Sequence, residues 1–222
     1  MKIVELTTAA LALTLILAAC GGKDAGGGGE GGGETAGLAK SALVGSWSGP
    51  FGSFTLGEDD KGKLTLKNCG YEILGPGQIK MPEDVSTCEE KSYEGEVRLE
   101  GYEVAIGDPA KMMHKFSAYL DGAGALHLGM SVRQDVSPLK GKVGDVTVGM
   151  FDTLKVAADG TCTLSSKMED GPKPAKCRFE KAGEVEVFVY EHKGEEEGMV
   201  YLAKEGLVVP ANVHQMAFTK GK

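Results

Sequence analysis

Apolar and polar residues alternate in short runs along most of this chain. In Lys63-Leu64-Thr65-Leu66-Lys67 the two leucines point one way and their neighbours the other. Glu96-Val97-Arg98-Leu99-Glu100 places charge on one face, with Val97 and Leu99 on the opposite one. Leu126, Leu128, Met130 and Val132 repeat the pattern, as do Val185, Val187 and Val189. A period of two belongs to strands with one buried and one wet face, whereas a helix needs a period of about 3.6. Helical periodicity nowhere lasts longer than two turns. Turn signals such as Asp59-Asp60-Lys61-Gly62 and Asp159-Gly160 separate the runs and mark hairpins. These features predict an all-β fold, an antiparallel meander barrel or sandwich of about 8–10 strands.

The runs also recur as a set. "FTLGEDDKGKLTL" from Phe54 matches "DTLKVAADGTCTL" from Asp152, with Gly62 over Gly160 and Leu66 over Leu164. "GEVRL" from Gly95 matches "GEVEV" from Gly183. "AYLDGAGAL" from Ala118 matches "VYLAKEGLV" from Val200, with Tyr119 over Tyr201 and Gly124 over Gly206. The blocks are co-linear, so residues 41–222 are expected to form a β domain of two similar halves, 41–136 and 142–222. A lone four-stranded unit would expose an apolar face and two open edges. Two units closing on each other remove both problems, which favours one shared barrel or sandwich. Two small barrels in tandem, joined near Ser137-Pro138-Leu139-Lys140-Gly141, are the alternative.

Ahead of this domain lies a segment of different character. Residues 1–19 carry one lysine, Lys2, cancelled by Glu5, and an apolar run from Ala9 to Ala19. A membrane-spanning helix needs about 20 apolar residues, so a run of 11 has the length of a signal-peptide core. The run ends in Leu17-Ala18-Ala19-Cys20, which resembles the lipobox of bacterial lipoprotein precursors. The resemblance implies cleavage before Cys20, a diacylglycerol on its sulfur and acylation of the new amino terminus. Membrane lipid is then the first partner. Two or more chains are needed for durable attachment, and this modification supplies them. With Gly21 and not aspartate after the cysteine, the sorting rule leans to the outer membrane, on its periplasmic or surface side. Ten of the 17 residues from Gly21 to Gly37 are glycine, so residues 20–40 read as a lipidated cysteine and a disordered tether. As a flexible coil it spans about 20–25 Å.

With Cys20 assigned to lipid, Cys69, Cys88, Cys162 and Cys177 remain, an even number in an exported chain. Of the three possible pairings we favour Cys69–Cys88 with Cys162–Cys177, because each pair flanks a glycine- and proline-rich excursion. Their spacings are too wide for the close pairs of a structural zinc site.

Gly45-Ser46-Trp47 at the opening of the first strand resembles the G-x-W of lipocalins and related calycin barrels. That resemblance implies a tryptophan closing one barrel end and an interior that could carry a small apolar ligand. An ordinary core role for Trp47 is the other reading.

The composition narrows the function classes. A net charge of −8 disfavours nucleic acid and anionic headgroups as partners. No G-x-S-x-G elbow is present, and Gly49-Pro50-Phe51-Gly52-Ser53 does not substitute for one. His114, His127, His192 and His214 fall on separate predicted strands or loops. Met112-Met113-His114 and His214-Gln215-Met216 offer thioether beside imidazole, which suits Cu(I), but no clustered Met/His repeat supports a soft-metal site, and methionines filling core gaps with histidines at strand ends are the plainer reading. No catalytic or cofactor constellation emerges. The expectation is a membrane-anchored envelope lipoprotein with a non-catalytic binding or interaction role, its partner an envelope protein or a small apolar ligand. The alternatives are a lipocalin-like carrier and a periplasmic copper-binding lipoprotein.

Overall fold

A computed structural model describes residues 37–131 and 133–221. The signal run, Cys20, tether residues 21–36 and Val132 lie outside the described residues. The first half opens with helix α1 (Lys40–Leu43), then β1 (Gly45–Gly49), β2 (Gly52–Leu56) and β3 (Lys61–Asn68). A small hairpin follows, β4 (Glu72–Gly75) and β5 (Gln78–Lys80). Next come β6 (Glu89–Glu100), β7 (Glu103–Asp108), β8 (Met112–Leu120) and β9 (Leu126–Gly129). Past the junction lie β10 (Ser137–Pro138), β11 (Gly144–Thr147), β12 (Asp152–Val156), β13 (Cys162–Ser166) and β14 (Lys173–Ala175). The chain continues through β15 (Cys177–Ala182), β16 (Val185–His192), β17 (Glu195–Leu202) and β18 (Leu207–Val209). Helix α2 (Ala211–Gln215) and β19 (Ala217–Lys220) complete it.

Eight strands close an antiparallel barrel in the order β1-β19-β9-β8-β7-β6-β3-β2. The alternation seen in the sequence is the reason. Leu64 and Leu66 of β3, Val97 of β6 and Leu126 and Leu128 of β9 all turn into one core with Phe54, Phe116 and Phe218. Burying a side chain of this size contributes about 1.5–3 kcal/mol. Trp47 joins that core, and its indole N–H donates to the Leu43 carbonyl at 2.8 Å, fixing α1 against the barrel end. The Lys220 ammonium lies 5.2 Å from the centre of the Trp47 ring.

The second half builds two sheets, β10-β18-β17-β16-β15 and β11-β12-β13-β14. They face each other across a core of Val146, Leu154, Phe188, Tyr190, Met199 and Tyr201, among others. Strands β14 and β15, separated only by Lys176, act as one bent strand that pairs with β13 on one side and β16 on the other. Long strand β6 bridges β3 and β7 in the same way.

The halves are therefore related, but not through the residues the sequence matches paired. Phe54 stands opposite Leu64 and Leu154 opposite Leu164, so counterparts lie 100 positions apart. The N–H of Lys67 donates to the Phe51 carbonyl at 2.9 Å, and that of Lys167 to Phe151 at 2.9 Å. Asp60 (φ 63°) and Gly160 (φ 81°) occupy the same left-handed turn position. The sequence alignment of Gly62 with Gly160 is thus slipped by two residues. A slip of two leaves every side chain on its own face, so alternation alone cannot detect it. "GEVRL" lies on β6, whereas "GEVEV" spans the β15–β16 turn and the start of β16. Tyr201 belongs to the second core, while Tyr119 packs in a third cluster between the halves, with Val200, Leu207 and Val213. On β16, Phe188 and Tyr190 face the second core, and Val187 instead faces the hairpin tip at Gly77.

The last strand does not stay with its own half. β19 crosses to pair with β1 and β9 of the first half, and Phe218 enters that core. In return β10, which follows β9, pairs with β18 and turns through Lys140–Val143 into β11. Each half thus receives its closing strand from the chain leaving the other. The barrel is shared by exchange of one strand, not by merging two four-stranded units, and the expected junction at Ser137-Pro138 is itself a strand.

Candidate functional site: a groove under a stapled hairpin

Residues 69–88 leave the barrel between β3 and β6 and carry the β4–β5 hairpin. A disulfide between Cys69 and Cys88 closes their base, with Cα atoms 4.9 Å apart. The second disulfide, Cys162–Cys177, ties β13 to β15 with Cα atoms 6.1 Å apart. Both favoured pairings are present.

The hairpin reaches from the first half to the second. Its tip, Pro76-Gly77, lies on Gly198 of β17. A Cβ at position 198 would sit 2.5 Å from the Gly77 nitrogen and 2.5 Å from the Pro76 carbonyl carbon. Glycine is required there because backbone meets backbone. Gly77 itself has φ +67°, and a Cβ on it would press on Val187 at 3.0 Å.

Beneath this clasp runs a groove of about 610 Å³, within the usual range for ligand sites. Tyr71, Ile73 and Ile79 of the hairpin region and Met130 form its apolar side. Tyr71, Ile73 and Met130 stand exposed. Ser131, Arg133, Gln134, Glu197 and Asn212 supply the polar side. Asn212 donates to the Met130 carbonyl at 2.7 Å and so pins the junction segment to α2.

Glu197 is backed by a half-buried network. Gln134 donates to the Tyr190 hydroxyl at 2.7 Å, and Tyr190 donates to Glu197 at 2.9 Å. Burial, joined by the charge of Glu197, raises the Tyr190 pKa and keeps that hydroxyl a donor. His192, buried behind Glu197, lies 3.5 Å from it through Nδ1 and 2.8 Å from Asp152 through Nε2. The Ser166 hydroxyl and His192 hold the Asp152 carboxyl below its ordinary range, so the imidazole Nε2–H donates to it. Asp152 thus fixes the His192 ring through Nε2, with the Glu197 carboxylate on the side of Nδ1.

A second cluster sits where the chain crosses from β18 to β19. Tyr119, His127 and His214 stack, with ring centres 4.5 Å and 5.6 Å apart. His127 donates to the His214 carbonyl at 2.8 Å and faces Asp121 at 3.2 Å. Nothing in the sequence brings His127 and His214 together, since 87 positions separate them. The remaining histidine, His114 on β8, packs on the Tyr93 ring at 4.8 Å. His114 and His214, each paired with methionine in the copper expectation, thus sit in different surroundings. Among the described residues, no three His, Cys, Asp or Glu side chains gather so as to hold a metal ion. Cys20 lies outside the described residues.

No family model, curated protein or solved structure matches this chain.

The groove is the site that geometry singles out. Its residues come from the hairpin, the junction segment, β17 and α2, four places with no common sequence motif. The one cue was the excursion between Cys69 and Cys88, which the cysteine spacing exposed and alternation could not explain.

Proposed function

We propose that this chain is a lipid-anchored envelope protein whose folded domain binds a ligand in the groove beneath the β4–β5 hairpin, without catalysing a reaction. The observation that carries this reading is the groove itself. Exposed apolar side chains face an ordered polar wall there, and a disulfide-based hairpin braces the opening from one half to the other. The lipobox and glycine tether support the anchored location, and the net charge of −8 speaks against nucleic acid. The ligand is a small apolar molecule or an apolar segment of an envelope protein, carrying polar groups for the Gln134–Glu197 side. The lipocalin-like alternative would put a ligand inside the barrel. That space is filled by Trp47, Phe54, Leu64, Phe116, Leu128 and Phe218, which favours the groove.

The test uses native mass spectrometry of the full protein released from membranes. We expect a bound mass that disappears in the Ile73→Glu/Met130→Glu variant and persists when a barrel-surface lysine such as Lys63 is replaced. A bound mass insensitive to the groove variant overturns the assignment. Labelled palmitate should enter the wild type and be lost in Cys20→Ala; label retained in that variant removes the anchor.

A further inference from the structure

One wall of the groove is backbone. Strands β16 and β17 are joined by Lys193-Gly194 alone, with φ of 53° and 86°. Such a two-residue turn is closed by a hydrogen-bonded pair, here His192 with Glu195. Bonding alternates along a strand, so Glu195, Glu197 and Met199 bond to β16. The N–H and C=O groups of Glu196 and Gly198 therefore point to the opposite side, where β18 lies. β18 does not reach them. It pairs only with Val200, Tyr201 and Leu202, because at Pro210 the chain turns into α2 to carry β19 across to the barrel. Among the described residues, no other strand, turn or loop supplies a backbone bond to Glu196 or Gly198 on that side. Arg178 of β15 holds the Glu196 carboxylate at 2.6 Å, drawing it back across the sheet and away from the gap. The groove opens at this gap, with Glu196, Glu197 and Gly198 on one side and Ala211 and Asn212 of α2 on the other.

We propose that the groove takes an extended peptide segment, which adds as a strand to the open edge of β17 at residues 195–198. This rests on the groove being the binding site and names what it takes. A strand beside β17 lies about 4.8 Å away and satisfies the outward groups of Glu196 and Gly198, which an apolar small molecule leaves bare. The two faces of the sheet offer its side chains different surroundings. On one face the hairpin tip rests on Gly198, and Ile73 and Ile79 line the groove from the hairpin. On the other face Glu197 turns toward Tyr190 and His192, beside Gln134. Side chains of an added strand alternate between the faces. The segment therefore carries apolar residues at one parity and hydrogen-bond donors, lysine above all, at the other. Backbone bonding supplies affinity and the two walls select the sequence.

The test is an NMR titration of the full protein with the probe peptide acetyl-Val-Lys-Val-Lys-Val-amide. Two further versions carry N-methyl groups, one on the valine nitrogens and one on the lysine nitrogens. The parent peptide should shift the Glu196 and Gly198 amides and slow their hydrogen exchange. One methylated version should bind at least about tenfold more weakly and the other like the parent, because only alternate peptide amides face the edge. Glu196→Pro removes an edge donor at a position where proline is tolerated, and should weaken binding as much, while Glu196→Ala keeps it. Equal binding by both methylated versions, or wild-type binding by Glu196→Pro, overturns edge pairing and leaves the groove as a side-chain site. Hexanol shifting the Ile73, Ile79 and Met130 methyl signals while the parent peptide shifts nothing also overturns it, in favour of a small apolar ligand. Shifts from neither probe overturn the groove reading together with this one.

Discussion

The Tyr119 hydroxyl lies 2.8 Å from Nδ1 of His214, joining β8 of the first half to the helix that delivers β19 back to it. Burial raises the Tyr119 pKa, so the hydroxyl stays protonated and donates. The same burial, reinforced by nearby His127, lowers the His214 pKa below 6.5, while Asp121 and Glu205 act in the opposite sense. His214 is thus held neutral as an acceptor at the crossing point of the exchanged strand.

That arrangement makes stability depend on pH with a definite sign. The unfolded chain binds a proton at His214 more readily than the folded one, so the stabilisation from this site is complete above the unfolded value near 6.5. It declines as pH falls toward and through the lower folded value. We expect the urea midpoint to drop between pH 7.5 and 5, and His214→Gln to flatten that slope. An imidazole NMR titration should place the His214 midpoint below 6.5; a midpoint above it contradicts the linkage. Tyr119→Phe leaves Nδ1 without its donor and should cost about 1–3 kcal/mol.

The exchange of closing strands predicts that neither half folds alone. A fragment of residues 37–141 lacks β19, and one of residues 142–222 lacks β10. Each alone should give a poorly dispersed NMR spectrum, and mixing them should restore the native one. A dispersed spectrum from either fragment alone would show that the exchanged strand is dispensable.

The hairpin clasp predicts a localised effect. In Gly198→Val the new side chain displaces Pro76-Gly77, at a cost of about 1–3 kcal/mol for overpacking. Hydrogen exchange should speed up in β4 and β5 and stay slow in β7 and β8. Uniform acceleration through the barrel would mean that the hairpin is integral to it.

The two disulfides should differ in reach. Replacing Cys69 and Cys88 by serine removes a closure of roughly 3 kcal/mol at the base of the excursion and should leave the barrel folded. Replacing Cys162 and Cys177 also introduces a hydroxyl where Cys162 is buried in the second core, so its melting temperature should fall further. Calorimetry of both variants checks the order.

Alternation in Lys63–Lys67 and Glu96–Glu100 was enough to specify strands and their buried faces, because a side chain's face depends only on its parity along the strand. The spacing of four cysteines likewise sufficed for the two disulfides, each closing a local loop. Register between the halves was not legible, since a slip of two keeps parity and put Gly62 where Asp60 belongs. The destination of β19 and β10 was decided by tertiary structure alone. Either strand presents the alternation its own half would accept, and only the geometry of the connecting segments and of the cluster between the halves selects the other. The groove, the Tyr119–His214 contact and the unpaired edge of β17 all follow from that choice, because each depends on which distant segments come together and not on any local pattern.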